Sequence, residues 1–205
     1  DAGNGVGYTG FRIRGSAGTS INVMLNGVPY NDSESQGTFF VNIPDMASSV
    51  SQIVIQRGVG TSSNGTASFG ASVNILTKNP DENPYVLGQF SAGSFNTMKT
   101  SFEAGSGKFL NNLLSVSARY SIINSDGYID RAFSKLNSYS INALFEKGNT
   151  KIRFLTFGGK EKTYQAWNGI DRQTWETNPR LNYSSQYTDL FTGEEKFYDN
   201  ETDNY

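Results

Sequence analysis

The residue types that most often perform chemistry are missing from this sequence. It has no histidine and no cysteine in 205 residues. That removes the commonest general base and metal ligand, along with thiolate nucleophiles, thiolate metal sites and disulfides. Serines are plentiful, but no imidazole is present to activate one. Gly5-x-Gly7-x-x-Gly10 has the spacing of a dinucleotide fingerprint, yet the strand-like Phe11-Arg12-Ile13-Arg14 follows where that fold needs a helix. The Gly58–Gly65 stretch lacks the Gly-Lys-Ser/Thr ending of a phosphate loop. Glu194, Glu195, Asp199, Glu201 and Asp203 offer carboxylate oxygens for Ca2+, but their spacing matches no known loop. No enzymatic activity, cofactor or metal is therefore expected. A net charge of −2 gives no electrostatic hold on nucleic acid.

Two groups remain that could serve binding. Arg14 and Arg57 each stand in an otherwise apolar, strand-like run. Such a cation either snorkels to the surface or needs a partner. The segment 161–205 holds both tryptophans, seven further aromatics, and nine acids against four bases, whereas the rest carries thirteen bases against ten acids. A polar segment of this kind is either a disordered loop or, given its aromatics, a binding surface presenting Tyr164, Trp167, Trp175, Tyr183 and Tyr187.

The elements that must position these groups fall into two kinds. Residues 1–80 contain short strand-like runs at Gly10–Gly15, Ile21–Asn26, Gln52–Arg57 and Ser72–Thr77, with Asp45 placed to cap one helical turn through Ser49. This predicts a compact α+β unit. Residues 79–84, Asn-Pro-Asp-Glu-Asn-Pro, read as a linker. Beyond it, long runs alternate with a period of two. Leu114, Val116, Ala118, Tyr120 and Ile122 oppose Ser115, Ser117, Arg119 and Ser121; Tyr139, Ile141, Ala143 and Phe145 oppose Ser138, Ser140 and Asn142, with Leu144 as an exception. Similar runs cover 98–104 and 151–158. Alternation alone fits a soluble antiparallel sheet. Length favours tilted strands crossing a bilayer, with the apolar residues toward lipid and the polar ones toward a lumen. Connections after Ile123 and Lys160 are long and those at Gly107–Asn112 and Glu146–Thr150 short, which is the asymmetry of a membrane barrel; the turn at Gly93–Asn96, on the long side, is short. No run approaches 18 apolar residues, so no transmembrane helix is expected.

Four blocks in the first 80 residues carry a resemblance. They are Phe11-Arg12-Ile13-Arg14-Gly15, Val23-Met24-Leu25-Asn26-Gly27-Val28-Pro29, Ile53-Val54-Ile55-Gln56-Arg57-Gly58, and Phe69-Gly70-Ala71-Ser72-Val73-Asn74-Ile75 followed by Thr77-Lys78. Their order and spacing over about 70 residues resemble the plug domain of TonB-dependent outer-membrane receptors, of Bacteroidetes type. Asn26 stands where the family usually has Asp, Phe69 where it has Tyr, and Ser72-Val73 where paired glycines are common. The resemblance implies an α+β plug over 1–80, truncated at its N-terminus, followed over 81–205 by about five antiparallel strands of an incomplete barrel with extracellular loops. A complete barrel of this family has about 22 strands. The chain opens within a glycine-rich run and closes in a polar stretch, as expected of a fragment.

What the resemblance implies for function is active transport of a scarce solute across the bacterial outer membrane, energised by TonB through a segment outside this fragment. Membrane lipid and an unidentified small-molecule ligand are the other expected partners. Arg14 and Arg57 are implied to project toward glutamates of the barrel wall and lock the plug. Tyr30-Asn31-Asp32 and Thr61-Ser62-Ser63-Asn64 become candidate ligand-facing apices, each with a plain polar turn as its alternative. An iron chelate, haem or cobalamin is the favoured cargo. The alternatives are a glycan importer of the same family and a soluble β-sandwich adhesion module.

Overall fold

The computed structural model describes residue 6, residues 9–58, 69–164, 166–184 and 186–197, and the backbone of 201–204. Its first part is a small mixed sheet. β1 (Ile21–Leu25) and β2 (Val28–Pro29) form a hairpin; β3 (Val50–Arg57) and β4 (Ala71–Thr77) complete the order β2-β1-β4-β3, with β1 parallel to β4 and the other pairs antiparallel. The hairpin turns on Asn26-Gly27, both at positive φ (52° and 82°), the combination that a two-residue type I′ turn demands and that glycine meets without strain. Ile21, Val23, Ala71, Val73 and Ile75 form its core, packed by Phe11, Ile13, Leu25, Phe40 and Val50.

Two expectations about this unit need correction. Gly10–Gly15 is not a strand. Only an isolated bridge joins Ile13 to Ser16, and Arg14 (φ 52°) and Gly15 (φ 79°) form the turn between them. Arg14 is therefore an exposed turn residue and not a cation inside an apolar strand. Asp45 does precede a helical turn, the 3-10 turn Met46–Ser49, but its backbone is left-handed and its carboxylate makes no cap hydrogen bond. That side chain is engaged elsewhere.

After the linker come five antiparallel strands, β5 (Pro84–Ala92), β6 (Met98–Phe109), β7 (Leu114–Ser125), β8 (Ser134–Lys147) and β9 (Thr150–Tyr164), each paired with the next. Beyond β9 the chain folds into α1 (Arg172–Thr177), the hairpin of β10 (Gln186–Thr188) and β11 (Glu195–Phe197), and β12 (Glu201–Asn204), which returns to pair with β9. The described part of the aromatic segment is thus folded. The resulting sheet runs β12-β9-β8-β7-β6-β5 and stays open at both edges. No helix among the described residues is long and apolar enough to cross a membrane.

The two faces of this wall have opposite chemistry. On β7, Ser115, Arg119, Ser121 and Ser125 are buried while Tyr120 and Ile122 are exposed; on β8, Ser134, Ser138, Ser140 and Asn142 are buried while Tyr139 and Ile141 are exposed. Ile152 and Phe154 continue the bare apolar face on β9. Leu144, the apparent exception to the alternation, lies on the buried face. A water-soluble sheet buries its apolar side. This wall buries its polar side under the mixed sheet and leaves its apolar side uncovered, the arrangement required when the outer solvent is hydrocarbon. Much of the polar face does not look onto open water as expected, because the segment around Asp45 lies on Arg119 and Ser121.

Candidate functional site: the seam between plug and wall

Asp45 is the centre of the seam. The preceding Pro44 and the left-handed backbone of Asp45 turn its carboxylate toward the wall. There Oδ1 accepts from Lys99 Nζ on β6 (2.6 Å), and Oδ2 accepts from Arg119 on β7 (2.7 Å) and Ser121 Oγ (2.6 Å). Ser48 Oγ, one turn on, also donates to Oδ1 (2.8 Å). Arg119 spends its other nitrogens on the Asp45 carbonyl (3.1 Å) and Ser49 Oγ (3.0 Å). The side chains of Asp45 and Arg119 are each only 5% exposed. Burial alone would raise the Asp45 carboxyl; hydrogen bonds from Lys99, Ser121 and Ser48 and the charge of Arg119 outweigh it and hold the group below the usual carboxylate range.

A second junction lies at the end of β4. Arg153 on β9 donates to Thr77 Oγ1 (2.6 Å), the Lys78 carbonyl (2.6 Å) and Asn142 Oδ1 (3.1 Å), while Asn142 Nδ2 donates to the same Lys78 carbonyl (2.6 Å). Asn26 closes the group from the hairpin side, accepting from the Thr77 amide (2.9 Å) and donating to Thr77 Oγ1 (3.1 Å). A carboxylate in place of Asn26 could accept but not donate.

Between the junctions and the outer end of the wall lies a cavity of about 290 Å3, lined chiefly by Phe40, Ile43, Pro44, Met46, Ile123 and Leu136, with Glu161 at its edge. Glu161 is 1% exposed, and neither of its carboxylate oxygens meets a hydrogen-bond partner among the described residues. Close by, the Pro44 ring sits against the backbone of the wall: a Cβ on Gly159 would stand 2.6 Å from Pro44 Cγ.

The TonB-dependent Receptor Plug Domain family matches residues 1–72 of the chain. The mixed sheet is therefore the part of the chain that resembles a plug domain. Solved structures agree on the fold. The ferric yersiniabactin uptake receptor FyuA of Yersinia pestis is 16% identical, with a TM-score of 0.66 over 89% of this chain and 29% of its own. The pyoverdine outer membrane receptor FpvA of Pseudomonas aeruginosa PAO1 is 17% identical, with a TM-score of 0.63 over 77% and 23%. The copper transporter OprC gives 16% and 0.63 over 80% and 28%. The chain thus spans roughly a quarter of the length of the receptors it matches. No curated protein matches it. In fold, the mixed sheet corresponds to the plug of those structures and β5–β9 to strands of their wall.

In this structure the residues singled out from the sequence are scattered. Asn31 and Asp32 serve their own loop. Asn31 accepts from the Val23 amide (2.7 Å) and donates to the Ile21 (2.9 Å) and Gln36 (2.8 Å) carbonyls, and Asp32 accepts from the Ser35 amide (2.7 Å) and hydroxyl (2.9 Å), which lower its pKa. Tyr30 is half-buried, and that burial raises its phenol. Tyr164 is buried at the end of β9, whereas Trp167, Trp175 and Tyr183 are exposed and Tyr187 is half-buried on β10. Arg57 is exposed at the end of β3. The apex candidate Thr61-Ser62-Ser63-Asn64 lies outside the described residues.

Sequence reasoning missed the seam residues Asp45, Lys99, Arg119, Asn142 and Arg153, and also two arginines that cement the loops. Arg131 lies 3.6 Å over the Phe197 ring and 5.7 Å over that of Tyr164, and donates to the Asn182 carbonyl (2.6 Å). Arg180 pairs with Asp130 (3.4 Å) and lies over Phe95 and Tyr128. The only signal for Arg119 in the sequence was a cation on the polar face of an alternating strand.

Proposed function

We propose that this chain forms the plug and first wall strands of an energised importer that admits a scarce solute through the bacterial outer membrane. The plug occupies 1–80 and the wall strands and outer loops 81–205. The observation that carries the reading is a plug-like sheet bound by buried ion pairs to the polar face of a wall whose other face is apolar. A soluble adhesion module would bury that apolar face. Transport alters no bond in the cargo; the plug blocks passage until TonB, engaging a segment beyond these residues, displaces it. The cargo we favour is a metal chelate. FyuA is a ferric yersiniabactin uptake receptor and OprC a copper transporter, and the stretch Arg57–Gly65 looks unlike the plugs of glycan importers.

The ligand is held between plug loop Tyr30-Asn31-Asp32 and the aromatic outer segment, with Trp167, Trp175 and Tyr183 as its exposed contacts and Tyr164 and Tyr187 as their support. Arg14 and Arg57 meet acidic residues of the wall. Deletion of the gene should impair growth on a ferric chelate as sole iron source, and collapse of the proton gradient should stop uptake of that radiolabelled chelate by wild-type cells. Undiminished uptake in the deletion strain, with lost growth on a polysaccharide instead, would transfer the cargo to glycans.

A further inference from the structure

On the inner face of the wall, successive rows lead toward the long-loop end. Ser121, Ser138 and Gly159 form one row, Ile123, Leu136 and Glu161 the next, and Ser125, Ser134 and Thr163 the one after. The first row belongs to the seam: Ser121 donates to Asp45, and Pro44 stands against Gly159. The second row lines the apolar cavity, whose opposite side is formed by Phe40, Ile43 and Met46 from the segment between β2 and β3.

Two carboxylates thus stand close to one another along the seam in opposite circumstances. Asp45 accepts from Lys99, Arg119, Ser121 and Ser48. Glu161 is fully buried and accepts from no group among the described residues. Hydroxyls of the adjoining rows are engaged elsewhere, Ser138 with Ser121 (2.9 Å) and Ser134 with the Val6 carbonyl (3.3 Å). The register partners of Glu161, Leu136 on β8 and Asn204 on β12, are uncharged residues and bring no counter-charge.

A buried carboxyl in this position is costly in either form. Ionised, it lacks a counter-charge; protonated, it still leaves a donor and an acceptor unmet. Water would supply hydrogen bonds but no charge. A hard metal ion gathers about six to eight oxygens, whereas this cavity is lined chiefly by apolar side chains. A primary ammonium brings a positive charge and three donors, and an apolar body attached to it suits the remaining walls. Space is sufficient: an engineered apolar cavity of about 150 Å3 holds benzene, and this one measures about 290 Å3.

We propose that the cavity binds a small organic amine, its ammonium on Glu161 and its apolar body between Phe40, Met46 and Leu136. None of Tyr30, Asn31, Asp32, Trp167, Trp175 and Tyr183 lines the cavity, so the site is separate from the one proposed for the cargo. An occupant touches both the wall and the segment that carries Asp45, and it stabilises their contact by mass action. The inference rests on that contact and not on which solute is transported.

The test titrates the full-length protein in detergent, by calorimetry at neutral pH, with 2-phenylethylamine as the cation and 2-phenylethanol as its neutral counterpart. Wild type should bind one amine per chain, roughly ten- to a hundredfold more tightly than the alcohol. E161Q, neutral and of equal size, should lose that preference. E103Q removes a carboxylate already met by Tyr85 on the same face of the wall, and should bind as wild type does. L136W, which fills the cavity, should bind neither compound. Heat-modified migration on gels shows whether each variant is folded. Should E161Q fail to fold, methyl resonances of Met46, Ile123 and Leu136 in the wild type decide: shifts induced by the amine and not by the alcohol support the site. Equal affinity of wild type for amine and alcohol, or equal amine binding by wild type and E161Q, would overturn the proposal. So would a folded wild type that binds no amine, which would mean that water or the rest of the chain already fills the cavity.

Discussion

Replacing Asp45 by alanine should open the seam without unfolding the wall. Asp45 and Arg119 are buried from solvent to the same degree, so the substitution strands a guanidinium without its counter-charge. Removing one member of a buried pair costs about 3–5 kcal/mol. Lys99, 30% exposed at its side chain, can turn to water and adds little. At about 1.4 kcal/mol per factor of ten, local opening at the seam should rise about a hundred- to a few-thousand-fold. Hydrogen–deuterium exchange of the full-length receptor reads this directly. The reporter amides are Lys78, bonded to the Ser49 carbonyl at 2.8 Å, and Ser48, bonded to that of Asp45 at 3.2 Å. Amides of the β7–β8 ladder should be unaffected. The double variant D45A/R119A should lose less protection than the two single variants summed, because it leaves no unpaired charge. The pH dependence has a definite sign. A carboxyl held below its ordinary value stabilises the folded state fully above the unfolded pKa of about 3.9 and loses that contribution as pH falls through the folded value. The seam of the wild type should therefore loosen only in acid below about pH 4, and D45N should lack that transition. Unchanged Lys78 and Ser48 protection in D45A, or strictly additive single variants, would refute the reasoning.

Other consequences are open to measurement. Gly159→Val should unseat the plug at a cost of about 1–3 kcal/mol, since its Cβ would meet the Asn137 carbonyl at 2.2 Å as well as Pro44; a lower midpoint for heat-modified migration is expected, and an unchanged one would mean that the plug does not rest there. Nitroxides at 120, 141 and 154 should be more accessible to oxygen than to a nickel chelate, and those at 115 and 121 to neither while the plug is seated; equal chelate access at both sets would remove the membrane orientation. An epitope inserted between Leu190 and Phe191, both fully exposed at the tip of the β10–β11 hairpin, should be stained on intact cells. Asn182 is unsuitable for that insertion, being buried and donating to the Asp130 carbonyl (3.0 Å). Staining only after permeabilisation would place the long loops in the periplasm.

The fold class was legible because its signals are local. Asn26-Gly27 specifies its own hairpin, and Leu114–Ile122 displays its two faces residue by residue. Strand ends were less legible: β8 begins at Ser134 and β9 runs to Tyr164, through Gly-Gly-Lys-Glu-Lys-Thr, where both faces are polar or small and no alternation marks the strand. The Gly10–Gly15 error has the same origin in reverse, since apolar and charged residues alternate there across what is a left-handed turn. The seam was illegible for another reason. Asp45 and Arg119 are 74 positions apart, and a polar residue before a helical turn looks like a cap whether or not its side chain is spent on a distant strand. Likewise, nothing in the vicinity of Arg131 announces the Phe197 ring.

That separation of 74 residues bears on biogenesis. The plug is synthesised before the strands that hold it, so Asp45 leaves the ribosome with no cation to meet, and β3 presents Ile53, Val54 and Ile55 along an open edge, the kind of strand that templates aggregation. Arg119 and Arg153, conversely, stand on the inner, polar face of the wall, where only the plug segment or water can meet them. An intermediate with a wall and no plug would leave those guanidinium groups to water, and a finished plug in transit would carry a sticky edge. Variants that weaken the Asp45 pair should therefore appear first as poor yield of the assembled protein.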